Sequence, residues 1–431
     1  MASLPLKINN NWVDVAEYAS KHKGGRWLLE YARGKDVTFL FNAIHVMNPA
    51  SAHAALSILP RVDEPPAVRD RVFSFSKPPK IRAESPEVES EFRAELHDMI
   101  RRRFDGDAAK TKATPAHWVR TTLLFALTAK CWLDWARGDV AAAVVLPFAH
   151  WLLAAHTCHD ATHGALSTNP TLNYWMQFTA HPFFFNVFVW IPQHMLSHHQ
   201  FTNDLDDVDL HHFAPATLST KVDDYGGGYK NGRAWTFLFK GCLTTVGTCL
   251  LQPCRTIFDW KTPNFDENIT PVPEVVSKAT IALSTLPSFA TLLWPLLFHD
   301  DGATLISIAF LTLWPWVGSS LVWTTMTQTS HVQAACQDQD AGCWTARQIG
   351  ASLDYSVHDA REHALVSMLT GGLNAQALHH AVPTISQCHL AGIYDEYVHI
   401  CEKHNVSRST SRDIGTAAAD CVDFVFANNK S

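Results

Sequence analysis

The sequence predicts a mainly α-helical protein, with four membrane-crossing helices carrying a cytosolic cap, preceded by a small soluble α+β unit. Three observations predict it. Apolar stretches recur in two close pairs, each joined by a short polar turn. Three histidine-rich words lie just outside those stretches: His159 and His163 in HDATH, His194, His198 and His199 in HMLSHH, and Gln376, His379 and His380 in QALHH. Residues 1–60 instead carry short strand-like and helical patterns around His22 and His45.

Composition sets the bounds. Hydrophobic residues make up 47% of the 431 positions and aromatics 11%, which suits a globular or membrane protein rather than a disordered one. A net charge of -7 gives no footprint for nucleic acid. The ten cysteines form no CxxC pair and no regular framework, so a reducing compartment is expected. The start, MASLPLKINNNWVD, lacks the apolar core of a signal peptide, so insertion is expected to rely on internal segments.

In residues 1–60, Trp12, Val13 and Val15 form a strand-like run. Lys21 to Gly25 is a turn, and Leu28 and Leu29 open a helical pattern. The glycine pair after His22 lets the backbone turn tightly and approach a flat ligand. Trp12-Val13-Asp14-Val15, Tyr18, His22-Lys23-Gly24-Gly25, Gly34-Lys35-Asp36-Val37-Thr38, Phe41 and His45 together resemble a cytochrome b5 domain. The resemblance implies a b-type haem with His22 and His45 as axial ligands. Two imidazoles leave iron no open position, which makes it an electron carrier. The family reads His-Pro-Gly-Gly, and Lys23 stands here in place of the proline that would stiffen the turn.

Residues 61–117 read as a linker, with Pro65, Pro66, Pro78, Pro79 and Pro86, followed by a polar helix over 87–104. Residues 118–405 follow. The stretches 121–133 and 140–156, turning at Arg137-Gly138-Asp139, predict one membrane hairpin. The stretches 279–298 and 303–326 predict a second, with Trp294, Trp314, Trp316 and Trp323 toward the interfaces. Two hairpins put both termini and all three histidine words on one side. Arg101 to Arg103, Lys110, Lys112, Arg120, Lys261, Lys278 and Arg347 fall there too, so that side is cytoplasmic by the positive-inside rule. The runs 174–191 and 236–251 are read as interfacial or re-entrant. Residues 406–431 are read as a C-terminal tail.

Imidazole suits iron, copper, zinc and nickel, and seven imidazoles exceed what one tetrahedral zinc needs. His159 and His163, His194 and His198, and Gln376 and His380 each stand at i and i+4, which share one face of an α-helix. The words with their flanks, His159 to Gly164, Gln193 to Asn203 and Gly371 to His380, resemble the membrane fatty-acyl desaturases. A Gln opening the last box in a chain with a b5-like unit resembles the front-end kind. The second box and Asp354-Tyr355-Ser356 look most like the delta-5 members. Ala381-Val382-Pro383 departs from the family's usual Leu-Phe-Pro.

The resemblance implies two iron ions held by His159, His163, His194, His198, His199, His331, His379 and His380, with Gln376 offering an amide oxygen or holding a water. Asp160 and Asn374 are candidate partners for the ring N–H groups. It further implies an acyl-lipid or acyl-CoA substrate, O2, electrons from NADH-cytochrome b5 reductase through the haem, and the endoplasmic reticulum membrane. Two alternatives stay open. One is delta-4, delta-6 or delta-8 desaturation, or a sphingolipid desaturase or hydroxylase, on the same site. The other is a non-enzymatic membrane b5-type haem carrier whose histidines hold zinc.

Overall fold

In the computed structural model, residues 3–64, 90–204, 207–220, 233–258, 275–299, 302–337 and 342–429 are described. The chain is mainly helical. Strands β1 (Pro5–Ile8) and β2 (Asn11–Asp14) pair antiparallel, with Pro5 opposite Asp14. Asn9 and Asn10 turn between them at φ 49° and 64°, the left-handed pair that a two-residue hairpin demands. Isolated bridges tie Lys7 to Asp36 and Val13 to Arg61. Three short helices follow: α1 (Arg26–Tyr31), α2 (Thr38–Ile44) and α3 (Pro49–Ser57). The α+β character expected here therefore amounts to one two-stranded sheet under three helices, and no fuller b5-like sheet stands among the described residues.

The proline-rich part of the expected linker lies outside the described residues. Helix α4 (Glu91–Arg103) is the expected polar helix. Ser90 caps it by accepting the Arg93 N–H, and Arg101, Arg102 and Arg103 complement the dipole in its last turn.

Next come α5 (Pro115–Ala136) and α6 (Val140–Ala154), then α7 (Lys278–Leu297) and α8 (Leu305–Gln328). Among the described residues, three segments are long and apolar enough to cross a membrane: 140–162, α7 and α8. Helix α5, expected as a crossing, has the length but is diluted by Arg120, Thr121, Thr122, Thr128 and Lys130. Leu123 and Leu133 on α5, Val144 and Phe148 on α6, Leu283 and Leu297 on α7, and Leu305 and Leu313 on α8 are nevertheless exposed. Such a belt of large apolar side chains suits lipid rather than water.

The helices pack closely through small and hydroxylated residues, as lipid-embedded helices do. A Cβ at Gly318 would come 2.8 Å from Pro147 Cγ, so the α6–α8 approach needs glycine there. Trp135 Nε1 donates to the Leu311 carbonyl at 2.9 Å, and Trp294 Nε1 to the Ala136 carbonyl at 3.0 Å. Trp316 and Trp323 are buried within the protein, Trp316 edge-on to Phe183 at 5.2 Å.

A fourth candidate span is the bent pair Ala234–Gly241 and Thr244–Phe258, kinked by 71°. It fits the re-entrant reading. A single crossing here would put the start of α7 at the opposite end from the second histidine word, yet α8 returns to that word's end at His331. The run 174–191 is broken by the turn around Gln177–Ala180 and buries Phe183 and Phe184, so it is too interrupted to span.

The cap is completed by β3 (Leu353–Tyr355), α9 (Gln376–Ala381), α10 (Leu390–Lys403) and β4 (Ser409–Ser411). Beyond residue 405 the expected tail is built into the fold. Strand β4 pairs parallel with β3, and the helix Ile414–Asn428 buries Cys421, Phe424 and Val425 in a core with Phe213 and Phe237.

Candidate metal centre

The histidine words do not lie on plain α-helices. His159 ends a π-helical turn over Ala155–His159, and His194 and His198 lie within another over Pro192–His198. A π turn bonds i to i+5 and inserts a residue into the helical register, and such turns are frequent at functional sites. This changes the pairing that i,i+4 spacing predicts. His194 groups with His199, at i+5, and His198 faces elsewhere. The third word divides as well. Adjacent residues of α9 diverge by about 100°, so His379 joins one group and His380 the other.

Two cages result. His159, His163, His194, His199 and His379 place one ligand nitrogen each within 4.8 Å of one another. His198, His331 and His380 do the same. Two nitrogens across one ion, at about 2.0–2.1 Å each, lie about 4.2 Å apart, so both groups have the scale of a metal cage. The cages touch: the His199 and His380 rings stack at 4.3 Å.

Unpartnered buried atoms test whether ions fit. In the first cage both nitrogens of His159, Nδ1 of His163 and His199, and Nε2 of His379 have no hydrogen-bond partner. Nε2 of His163 and His199 converge on His194 Nε2 at 3.0 and 3.2 Å. Each buried polar atom left unpaired costs about 1–3 kcal/mol, and an ion that took one nitrogen from each ring would partner His159 and His379 and fill the convergence of the three Nε2 atoms. In the second cage the Gln376 amide lies 3.1 Å from His331 Nε2 and 3.2 Å from His380 Nε2, while its Oε1 is buried without a partner. Turning the amide by 180° points that oxygen at the same spot as both rings. The residues fit two ions.

Burial and neighbouring imidazoles hold His194, His199, His379 and His380 well below the usual histidine pKa, and burial brings His331 to about 3. These rings are neutral, as ligands must be. His198 differs. Burial alone would lower it, but the Asp207 and Asp209 carboxylates outweigh burial and hold it at about 9. Its Nδ1 donates to Asp207 at 3.1 Å. His380 Nδ1 donates to Gln348 Oε1 at 3.0 Å, and His331 Nδ1 to the Ala351 carbonyl at 3.3 Å. Such backing fixes ring orientation and presents Nε2 to a metal.

A cavity of about 60 Å³ opens onto the cages, walled by Trp151, Phe184, Phe185, Trp190 and Trp323 and floored by His159, His194, His198, His331 and Gln376. It has room for roughly four or five water-sized groups, enough for a short run of aliphatic carbons.

All nine residues expected at the metal thus meet in one place. His150, His156, His181, His211, His212, His358, His363 and His389 stand outside both groups. Asp160 and Asn374 do not reach the rings. Asp160 follows His159 on the helix, so its carboxylate points away, accepting Ser386 Oγ and the Gln387 N–H. Asn374 Oδ1 accepts Ser367 Oγ at 2.8 Å. The partners missed were Asp207 and Gln348. Asp207 was findable as one of the acids just after the second word, whereas Gln348 carries no local signal.

His22 and His45 also meet, with ring centres 6.4 Å apart. Their Nδ1 atoms donate to the Gly25 and Phe41 carbonyls at 3.2 and 2.7 Å, which leaves both Nε2 atoms for an iron. Two rings bound across one ion at about 2.0–2.1 Å each would sit roughly 6 Å apart. A Cβ at Gly24 would come 2.9 Å from the His22 ring, so that turn has no space for a larger residue.

A model of the family described as "Fatty acid desaturase" matches residues 132–412. The chain is similar to the acyl-lipid omega-13 desaturase of Chlamydomonas reinhardtii, 27% identical over 96% of this chain and 92% of that one. It is 25% identical to the acyl-lipid (8-3)-desaturase of Mortierella alpina, over 93% and 88%. It is 20% identical to the probable Delta(5) fatty acid desaturase C of Dictyostelium discoideum, over 99% and 92%. The family match spans more than half of the chain and takes in every residue of both cages, so the chain belongs to the fatty acid desaturase family, an O2-dependent oxidoreductase of membrane lipid metabolism.

Proposed function

We propose that this chain is a front-end desaturase that inserts a cis double bond into a polyunsaturated acyl chain, with the delta-5 position favoured. The observation that carries this reading is the convergence of eight imidazoles and Gln376 into two touching cages at the floor of an aromatic cavity. The similarity to desaturases named (8-3) and Delta(5) supports the position.

Two irons in the cages would activate O2 to remove hydrogen from unactivated methylenes, which no side-chain acid or base can do. His159, His163, His194, His199 and His379 would hold one, and His198, His331, His380 and Gln376 the other. Overall, two hydrogens leave adjacent carbons, two electrons and two protons enter, and O2 becomes two waters. Trp151, Phe184 and Trp190 line the cavity and exclude water from the acyl chain. Asp207 holds the His198 Nδ1 proton, so Nε2 is the nitrogen that gives up its proton to bind. His22 and His45 would hold a b-type haem that relays electrons from NADH-cytochrome b5 reductase. The cap and both termini would face the cytoplasm at the endoplasmic reticulum.

The test is expression in a host fed one polyunsaturated acid at a time, with new double bonds located by mass spectrometry. A new bond between the carboxyl end and the existing bonds is expected. A new hydroxyl group instead would establish the hydroxylase alternative, and no product from iron-loaded protein would sink the reading.

A further inference from the structure

The N-terminal unit is not merely tethered to the catalytic body. Val46, next to His45, is fully buried in a core that includes Ile349 and Leu378, and Arg101 donates to the Val46 carbonyl at 3.0 Å. Phe39, in the first turn of α2, lies flat on Trp344, with centres 5.6 Å apart and planes within 5°. Trp344 is buried and opens the helix Trp344–Gly350. Its Nε1 donates at 3.0 Å to the carbonyl of Gln200, the residue after His199. One turn on, Gln348 of the same helix accepts from His380. A single short helix thus reaches a ligand of each cage from one side and the N-terminal unit from the other.

We propose that the Phe39–Trp344 stack is the electron-transfer contact between the N-terminal unit and the metal cages. It rests on the reading that His22 and His45 hold haem. The path runs from His45, whose ring packs at 4.5 Å on Phe41 and whose Nδ1 bonds the Phe41 carbonyl, along α2 to Phe39. From there it crosses the ring stack to Trp344 and follows the indole N–H to Gln200 and His199. Each passage oxidises one ferrous haem to ferric and reduces one ferric ion of the cages to ferrous. An external one-electron donor then reduces the haem again. The stack is the only step between the two units on this path that is neither a covalent bond nor a hydrogen bond, so it is where the rate is most exposed to substitution.

The experiment uses the full chain loaded with haem and iron, without O2. A light-driven flavin reductant delivers one electron per haem, and the decay of the ferrous haem absorbance is followed. Phe39→Leu is expected to slow that decay about tenfold or more, with the Soret band and iron content per chain unchanged. Phe39→Tyr keeps the ring and is expected to keep the rate. Trp344→Phe keeps the stack but removes the N–H to Gln200, and is expected to fall between them; it decides the matter if Phe39→Leu does not fold. Decay at the parental rate in Phe39→Leu, or in Trp344→Phe should that variant have to stand in, overturns the contact and leaves the haem reading intact. A parent protein with no Soret band overturns the haem reading and the contact with it.

Discussion

The two cages solve one problem in different ways. In the cage of His159, His163, His194, His199 and His379, several ring nitrogens have no hydrogen-bond partner. Ring against ring sets the orientation: His163 on His199 at 4.4 Å, His159 on His379 at 4.5 Å, and Trp190 stacked on His194 at 4.3 Å. In the cage of His198, His331 and His380, each Nδ1 is anchored, to Asp207, the Ala351 carbonyl and Gln348. The first relies on many ligands and tight packing. The second has fewer ligands, each held by a hydrogen bond. A ligand-poor site therefore depends on its backing residues, and a ligand-rich one does not.

The sharpest break is removal of a ligand. His198→Ala is expected to lose about one of two bound irons and all detectable desaturation while remaining in the membrane fraction. Iron analysis beside product analysis checks this, and retained activity would refute the ligand assignment.

A smaller effect is expected from Asp207→Asn, which keeps every ligand but weakens the anchor. Above pH 9, where no proton competes for His198, metal affinity should drop about 10–100-fold, at the second cage alone, as read by metal titration of the apo-protein. A drop at both cages would erase the proposed contrast.

The same residue predicts a pH dependence. His198 stands at about 9, so below that pH the metal must displace a proton from it. Metal affinity of the second cage should rise with pH and level off near pH 9. With the Asp207 charge removed, the plateau should begin at lower pH. Equilibrium titrations from pH 6 upward would show an unshifted plateau if Asp207 were not the cause.

The smallest effect on the cages is expected from Asp160→Asn, since Asp160 joins the first word to Ser386 and Gln387 rather than to a ring. Iron content should stay within about twofold while stability falls by about 1–3 kcal/mol. Loss of iron would restore Asp160 to the role its position beside His159 first suggests.

Much of the centre is legible in the chain because ligand type and spacing are local properties. HDATH, HMLSHH and QALHH name eight of the nine residues between them, and His331 is named only by the resemblance to the desaturases. The hairpins are legible because a bilayer demands long apolar helices. The N-terminal unit is less so. Its histidines meet as expected, but its sheet is only a two-stranded pair, because strand pairing depends on neighbours that the local pattern does not name.

By itself, the sequence determined which residues could bind metal and that they lie beside apolar stretches, because residue chemistry and hydropathy are written along the chain. Only the tertiary structure decided how they divide. The π turns pair His194 with His199 instead of His198, and the divergence of adjacent residues on α9 sends His379 and His380 to different cages. Those outcomes rest on helical register and on contacts between distant parts of the chain, such as His380 with Gln348, 32 residues away, and with Thr202, 178 residues away. Spacing alone cannot carry that information.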